Sequence, residues 1–199
     1  NVIGVDPAEN VVSSINDNRI KTINNYFTEK IAQEVLVEFG PVDLIMANNV
    51  YAHIFDIQGT TRAVKNALAD EGVFVFEVHY LNSLVDGNQW DNIYHEHIYY
   101  YSISALNNFF TKYGMTVVDF EEIPIHAGSI RVTVLNNNID TPDKIFQRIL
   151  KEHSTISNPN YMLDFTDKVK NHITDFNKEI KRLSKDYKIA GYGASGRAN

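Results

Sequence analysis

Val42-Asp43-Leu44-Ile45-Met46-Ala47-Asn48-Asn49 is the stretch on which the fold turns. Residues 42–47 are apolar apart from Asp43 and follow Gly40-Pro41, so they read as a buried strand that runs out into two amides. Working upstream, Ile31, Val35, Leu36 and Phe39 mark one helical face, opened by Thr28 as cap and stopped by Gly40-Pro41. Before it, residues 20–23 make a weak strand. Ala8, Val11, Val12 and Ile15 mark another helix, started by Pro7, and residues 1–5 make a first strand ending in Asp6. Downstream, Val64 and Leu68 mark a helix closed near Gly72, followed by an apolar strand over residues 73–78. The order β-α-β-α-β-α-β predicts a doubly wound α/β sheet with helices on its faces.

After His79 the pattern changes. Residues 81–101 are polar and aromatic without a clean period, which predicts a long functional loop or lid. Leu106, Phe109, Phe110 and Tyr113 give a helix ending at Gly114. Residues 115–120 and 129–135 read as antiparallel strands, so the sheet is expected to be mixed, with an antiparallel edge strand. Thr141-Pro142 opens a helix with proline at its first position, carrying Ile145, Ile149 and Leu150. A long connecting helix follows, with a seam of Phe165, Val169, His172, Phe176, Ile180, Leu183 and Tyr187. Residues 188–190 read as a short strand before Gly191-Tyr192-Gly193-Ala194-Ser195-Gly196, a literal GxGxxG and a weak signal by itself.

Composition narrows the function. The 199 residues carry a net charge of −7 with no basic block, which argues against nucleic acid as a partner. With no cysteine, thiolate metal sites and cysteine nucleophiles are both excluded. No apolar run reaches the roughly 20 residues of a membrane span, so a soluble, cytoplasmic protein without a membrane partner is expected.

Tyr94-His95-Glu96-His97, inside residues 91–101, is the least economical stretch for plain packing, and three roles compete for it. A histidine tuned by the adjacent carboxylate, with a phenol nearby, suits general base work. His95, His97 and Glu96, or His126, suit a 2-His-1-carboxylate metal site. A histidine-rich surface loop is the bland alternative. Asp6 stands where doubly wound folds place an acid for a ribose diol, and equally where a helix N-cap stands. Asn48 and His53 sit at a strand's carboxyl end, as ligand contacts or as an ordinary strand-to-helix turn. His126-Ala127-Gly128-Ser129, with Arg131 beyond, offers close backbone approach and an anion contact, or only a glycine-closed loop. His172 reads as a packed core histidine and His153 as helix-end decoration.

Taken together, Asn49-Val50-Tyr51-Ala52-His53, Ile93-Tyr94-His95-Glu96-His97, His126-Ala127-Gly128-Ser129-Ile130-Arg131 and Gly191-Tyr192-Gly193-Ala194 resemble the sugar C-methyltransferases that use S-adenosylmethionine. That family methylates C3 of nucleotide-linked 4-keto deoxysugars. The resemblance implies a class I, Rossmann-like methyltransferase domain over residues 1–138 with its first strand missing. It implies a helical connector over 139–187 and the start of a truncated carboxyl-terminal Rossmann-like domain over 188–199. Zinc belongs to the family's separate amino-terminal domain, so no metal is expected on these residues. For the cofactor, the resemblance puts Asp6 on the ribose, Asn25, Tyr26 and Phe27 around the adenine, and Asn48 beside the methionine end. His97, Glu96, Tyr94 and His53 match catalytic positions, with His97 as proton acceptor. His126, Gly128, Ser129, Arg131, Gly191 and Gly193 would meet a nucleotide-sugar substrate. His95 and Ala127 depart from the family's usual acid and glycine.

The implied reaction is C-methylation through a base-generated enolate: His97 takes the proton, a tyrosine hydroxyl steadies the oxygen, and the carbon attacks the sulfonium methyl. A metal-dependent enzyme on His95, Glu96 and His97 and an inactive, truncated binding module stand as alternatives. Without its central first strand, the sheet is expected either to be completed by another chain, as in a homo-oligomer, or to have its early strands displaced.

Overall fold

The computed structural model describes residues 2–191, apart from the Ala127 side chain. Its strands form two separate ladders rather than one sheet. Strand β1 (Val2–Asp6) pairs in parallel with β2 (Ile20–Asn24), from Val2 opposite Ile20 to Asp6 opposite Asn24. Between them α1 (Glu9–Ser13) buries no residue; Val11 is 43% and Ile15 38% exposed, so the expected apolar face has no cover.

Helix α2 (Glu29–Phe39) starts where the Thr28 hydroxyl accepts the Ile31 N–H at 3.4 Å and ends at Gly40, whose φ of +80° suits only glycine well. In α3 (Ile57–Ala67), the Asp56 carboxylate caps the Gly59 N–H at 2.9 Å. Ala32 of α2 meets Ala63 and Ala67 of α3, small residues that let the two helices approach closely.

The second sheet holds β3 (Val42–Asn48), β4 (Leu68–His79), β5 (Thr116–Ile123) and β6 (Ser129–Leu135), in the order β3-β4-β6-β5. β3 and β4 are parallel, while β6 is antiparallel to both β4 and β5. The antiparallel strand is therefore not the edge. Ile130, Val132 and Val134 of β6 are all fully buried and need cover on both sides, whereas β5 exposes Glu121 and Glu122 and tolerates the rim. A second difference lies at Leu68. The helix ends at Ala67, not near Gly72, because Leu68 is already extended and pairs with Val42. The register shifts between Val42 and Leu44, and Gly72 turns so tightly that a Cβ there would lie 2.9 Å from the Ala69 carbonyl.

Residues 81–101 contain α4 (Leu81–Asp86) and a single 3-10 turn (Trp90–Asn92), so the expected lid is partly helical. Helix α5 (Ile103–Thr111) packs Leu106 and Phe110 onto Phe74, Phe76, Tyr51 and Met115 in the main core. In α6 (Asp143–Ser154), Pro142 is the extended N-cap rather than the first helical residue. Helix α7 (Pro159–Leu183) buries only Phe165; Phe176 is 59% exposed, and His172, expected in a core, is exposed 6.3 Å from the Trp90 ring. Residues 188–190 form no strand. No helix among the described residues is long and apolar enough to cross a membrane.

Between the two ladders lies a cleft of about 590 Å³, walled by Val2 and Ile3 on one side and residues 42–46 on the other, with Phe27 and Val35 behind. Leu44 is 51% and Met46 61% exposed along it, on a strand whose sequence reads as buried. Covering each would add about 1 kcal/mol.

Candidate active site

The site is assembled beyond the carboxyl ends of β3 and β4, where open α/β sheets place their chemistry. After β3 the chain turns through Asn49, in the left-handed region at φ 55°, into a 3-10 turn, Tyr51–His53. Tyr51 anchors that turn. The Thr61 hydroxyl gives its proton to the Ile57 carbonyl (2.6 Å), so the fully buried Tyr51 hydroxyl donates to Thr61 Oγ1 at 2.5 Å. Burial holds the Tyr51 phenol well above its ordinary range, keeping it a donor. The Tyr101 hydroxyl bonds the Tyr51 carbonyl at 3.0 Å, and the Ile98 N–H bonds the Ala52 carbonyl at 3.2 Å. His53 Nδ1 completes the stitching at 2.9 Å from the Glu96 carbonyl oxygen.

His97 lies at the centre, only 6% exposed. Its Nδ1 is 3.0 Å from the Asn92 carbonyl oxygen, which can only accept, so Nδ1 carries the hydrogen and Nε2 holds the lone pair. The Tyr94 hydroxyl therefore donates to Nε2 at 3.0 Å. By the same argument His53 is also an Nδ1–H tautomer. The arrangement is a buried base of fixed tautomer with a phenol on its open nitrogen, which suits proton abstraction followed by hydrogen bonding to the developing anion.

The rest of the expected cluster does not converge. His95 and Glu96 are exposed; Glu96 contributes its carbonyl to His53, and it is the Asn92 carbonyl that orients His97. No group of three histidine or acidic side chains among the described residues is placed to hold a metal ion. Sequence reasoning missed His79, the last residue of β4, which is 7% exposed with its ring centre 4.4 Å from that of His97. Its place at the end of an apolar strand was the available signal.

His126 joins the group, its ring 5.4 Å from His79, on a backbone in the left-handed region at φ 51°. Gly128 behind it has φ 128°, and a Cβ there would lie 2.5 Å from Ser83 Cβ. Gly128→Ala is expected to destabilise the protein by about 2–4 kcal/mol, lowering the unfolding midpoint by roughly 5–10 °C in a thermal melt. An unchanged midpoint would contradict that reading. Ser129 is buried and donates to the Ile125 carbonyl at 3.0 Å. Arg131 pairs with Glu77 at 2.6 Å and Glu121 at 3.1 Å across the sheet, so its charge is already met by carboxylates rather than held out for an anion. Gly191 is exposed, and Gly193 lies outside the described residues.

Of the cofactor candidates, Asp6 ends β1, where its Oδ1 accepts the Ala8 N–H at 2.8 Å; the N-cap of α1 is Ala8, so Asp6 closes the turn ahead of the helix rather than capping it. Asn48 is exposed at the end of β3, and Asn25 is exposed with its Oδ1 accepting the Tyr26 N–H at 2.9 Å. Tyr26 presents its ring, 71% exposed. Phe27 is half-buried, packing against the core and lining the cleft.

Comparison with known proteins places the chain among methyltransferases. The family model described as a methyltransferase domain matches residues 1–119, and that described as a C-methyltransferase C-terminal domain matches residues 124–199. The C-methyltransferase NovU of Streptomyces niveus is 39% identical over 131 residues, covering 66% of this chain but 31% of that protein. The chain thus spans about a third of this curated relative. Among solved structures, a chain of the complex between the Haloferax volcanii Trm112 methyltransferase activator and its methyltransferase aligns with TM-score 0.51 at 12% identity, over 68% of this chain and 72% of that one. A methyltransferase of Anabaena variabilis gives TM-score 0.51 at 11% identity, over 67% of each chain. These two share the mixed α/β fold.

Proposed function

Because the chain belongs to the methyltransferase domain family, we propose that it serves in S-adenosylmethionine-dependent methylation of a carbon next to a ketone, on a nucleotide-linked 4-keto deoxysugar. The observation that carries this reading is the fixed tautomer of His97, with Nδ1–H on the Asn92 carbonyl and Nε2 facing Tyr94. An oxygen-methylating site needs only one base near a hydroxyl. A hydrogen beside a ketone is far less acidic, so its removal calls for a positioned base and a donor to the enolate oxygen together. Once the Tyr94 hydroxyl donates to the ketone oxygen instead of Nε2, the His97 lone pair is available to the adjacent C–H.

The donor set fits the cofactor at its nucleoside end. The Asp6 carboxylate can accept from ribose hydroxyls, the exposed Tyr26 ring offers a face to adenine, and the Asn48 amide suits the amino-acid end. When bound, S-adenosylmethionine supplies an electrophilic methyl group. The facing edges of β1 and β3 call for a further strand, from another copy or elsewhere in a longer chain.

The test incubates the complete natural protein with labelled S-adenosylmethionine and a thymidine-diphosphate-linked 4-keto-6-deoxyhexose. Expected are a product methylated on carbon and deuterium uptake from solvent at that carbon. Methylation on oxygen would sink the proposal.

A further inference from the structure

We propose that His79 passes to His126, and so to solvent, the proton that His97 takes from substrate. The inference rests on the enolate reading above. His97 is 6% exposed, so a proton delivered to it needs a way out. Its Nδ1–H points at the Asn92 carbonyl, which can accept a hydrogen bond but cannot carry a proton onward. The exit therefore leaves from the Nε2 side.

The His79 ring packs beside His97, centred 4.4 Å away and tilted by 47°. His126 follows, its ring centred 5.4 Å from that of His79, so a turn of either ring or an intervening water would carry the transfer. Burial falls along the same line: His97 and His79 are buried and His126 is exposed. Imidazole is the side chain that both accepts and donates near neutral pH, so three in series suit such a transfer. The steps balance. The substrate C–H bond breaks, its electron pair stays with the enolate, and the proton joins His97 Nε2. That N–H then breaks as a His79 nitrogen gains the proton, and His126 returns it to water. His53, centred 5.0 Å from His97, offers a competing exit.

The complete protein is assayed for deuterium exchange into the same 4-keto-6-deoxyhexose nucleotide, with and without added imidazole. His79→Phe keeps a ring in the packing and is expected to slow exchange roughly 10- to 100-fold, with much of the loss restored by imidazole. His126→Asn, at an exposed position whose backbone asparagine tolerates, is expected to show a smaller loss with the same rescue. Rescue separates a relay from a packing role, because imidazole does not repair a misfolded site. Exchange unchanged in His79→Phe, or a loss in both variants that imidazole leaves in place, overturns the relay. So does rescue confined to His53→Phe, which moves the exit to His53. If the unsubstituted protein exchanges nothing, the enolate reading itself fails.

Discussion

His97→Gln is expected to lower deuterium exchange at the carbon beside the ketone by about 10²- to 10⁴-fold, the range that a positioned general base contributes. Glutamine is the informative replacement. Its amide reaches the position of Nε2, where its oxygen can still accept from the Tyr94 hydroxyl, yet it offers no nitrogen that takes a proton. Folding and the seating of the turn around residues 94–98 should survive, since the Ile98 and His53 bonds to that turn do not involve the His97 ring. Exchange within threefold of the unsubstituted rate would remove His97 from the role of base. Tyr94→Phe should lose less, because the hydroxyl steadies the enolate without being the proton's destination.

What the sequence disclosed follows from how local each signal is. The strands at residues 42–47 and 73–78 are legible as unbroken apolar runs, and the caps at Thr28 and Gly40 are written in their own neighbours. Leu68 misleads because it satisfies the helical spacing from Val64 while its backbone is already extended and paired with Val42. The place of β6 was not legible. A hairpin shows in sequence, but insertion of one arm beside β4 depends on partners fifty or more residues away. The α7 seam shows which face is apolar but not whether anything covers it, which is why His172 is exposed. At the site, the Tyr94–His97 stretch was legible as chemistry because it defies packing. The roles within it were not. Only the fold reveals that the Asn92 carbonyl orients His97, that Glu96 is exposed, and that His79 completes the histidine group.

Glu152 shows the same limit from the side of stability, and its removal is expected to have the largest effect on folding. It follows Ile145 and Ile149 on one helical face, and at 1% exposure it is a carboxylate sealed in the interior. Such a group persists only when its oxygens are bonded. Oε1 accepts from the Tyr80 hydroxyl at 2.7 Å and the Ile103 N–H at 2.8 Å, and Oε2 from the Ser104 N–H at 2.7 Å. With the Ser102 hydroxyl taking the Ala105 N–H at 3.2 Å, the orphan donors at the start of α5 are met, and the negative charge suits the helix dipole. Burial, and then the bond to Glu152, hold the Tyr80 phenol far above its ordinary range, so it stays a donor at working pH. Glu152→Ala leaves buried N–H groups and a hydroxyl without their acceptor, and should cost about 3–5 kcal/mol. For a chain of this size that lowers the unfolding midpoint by roughly 10 °C. Glu152→Gln keeps the volume and one acceptor oxygen, but its amide nitrogen must face an N–H donor, so a smaller loss of about 1–3 kcal/mol is expected. The ordering alanine below glutamine below glutamate, measured by denaturant titration, is the signature of a buried acceptor. Equal losses in both variants would point to the charge alone, and no loss in either would show that α5 is held by its apolar face. Tyr80 directly follows His79 in the chain, so a loosened Glu152 contact should also slow deuterium exchange at temperatures where the protein remains folded.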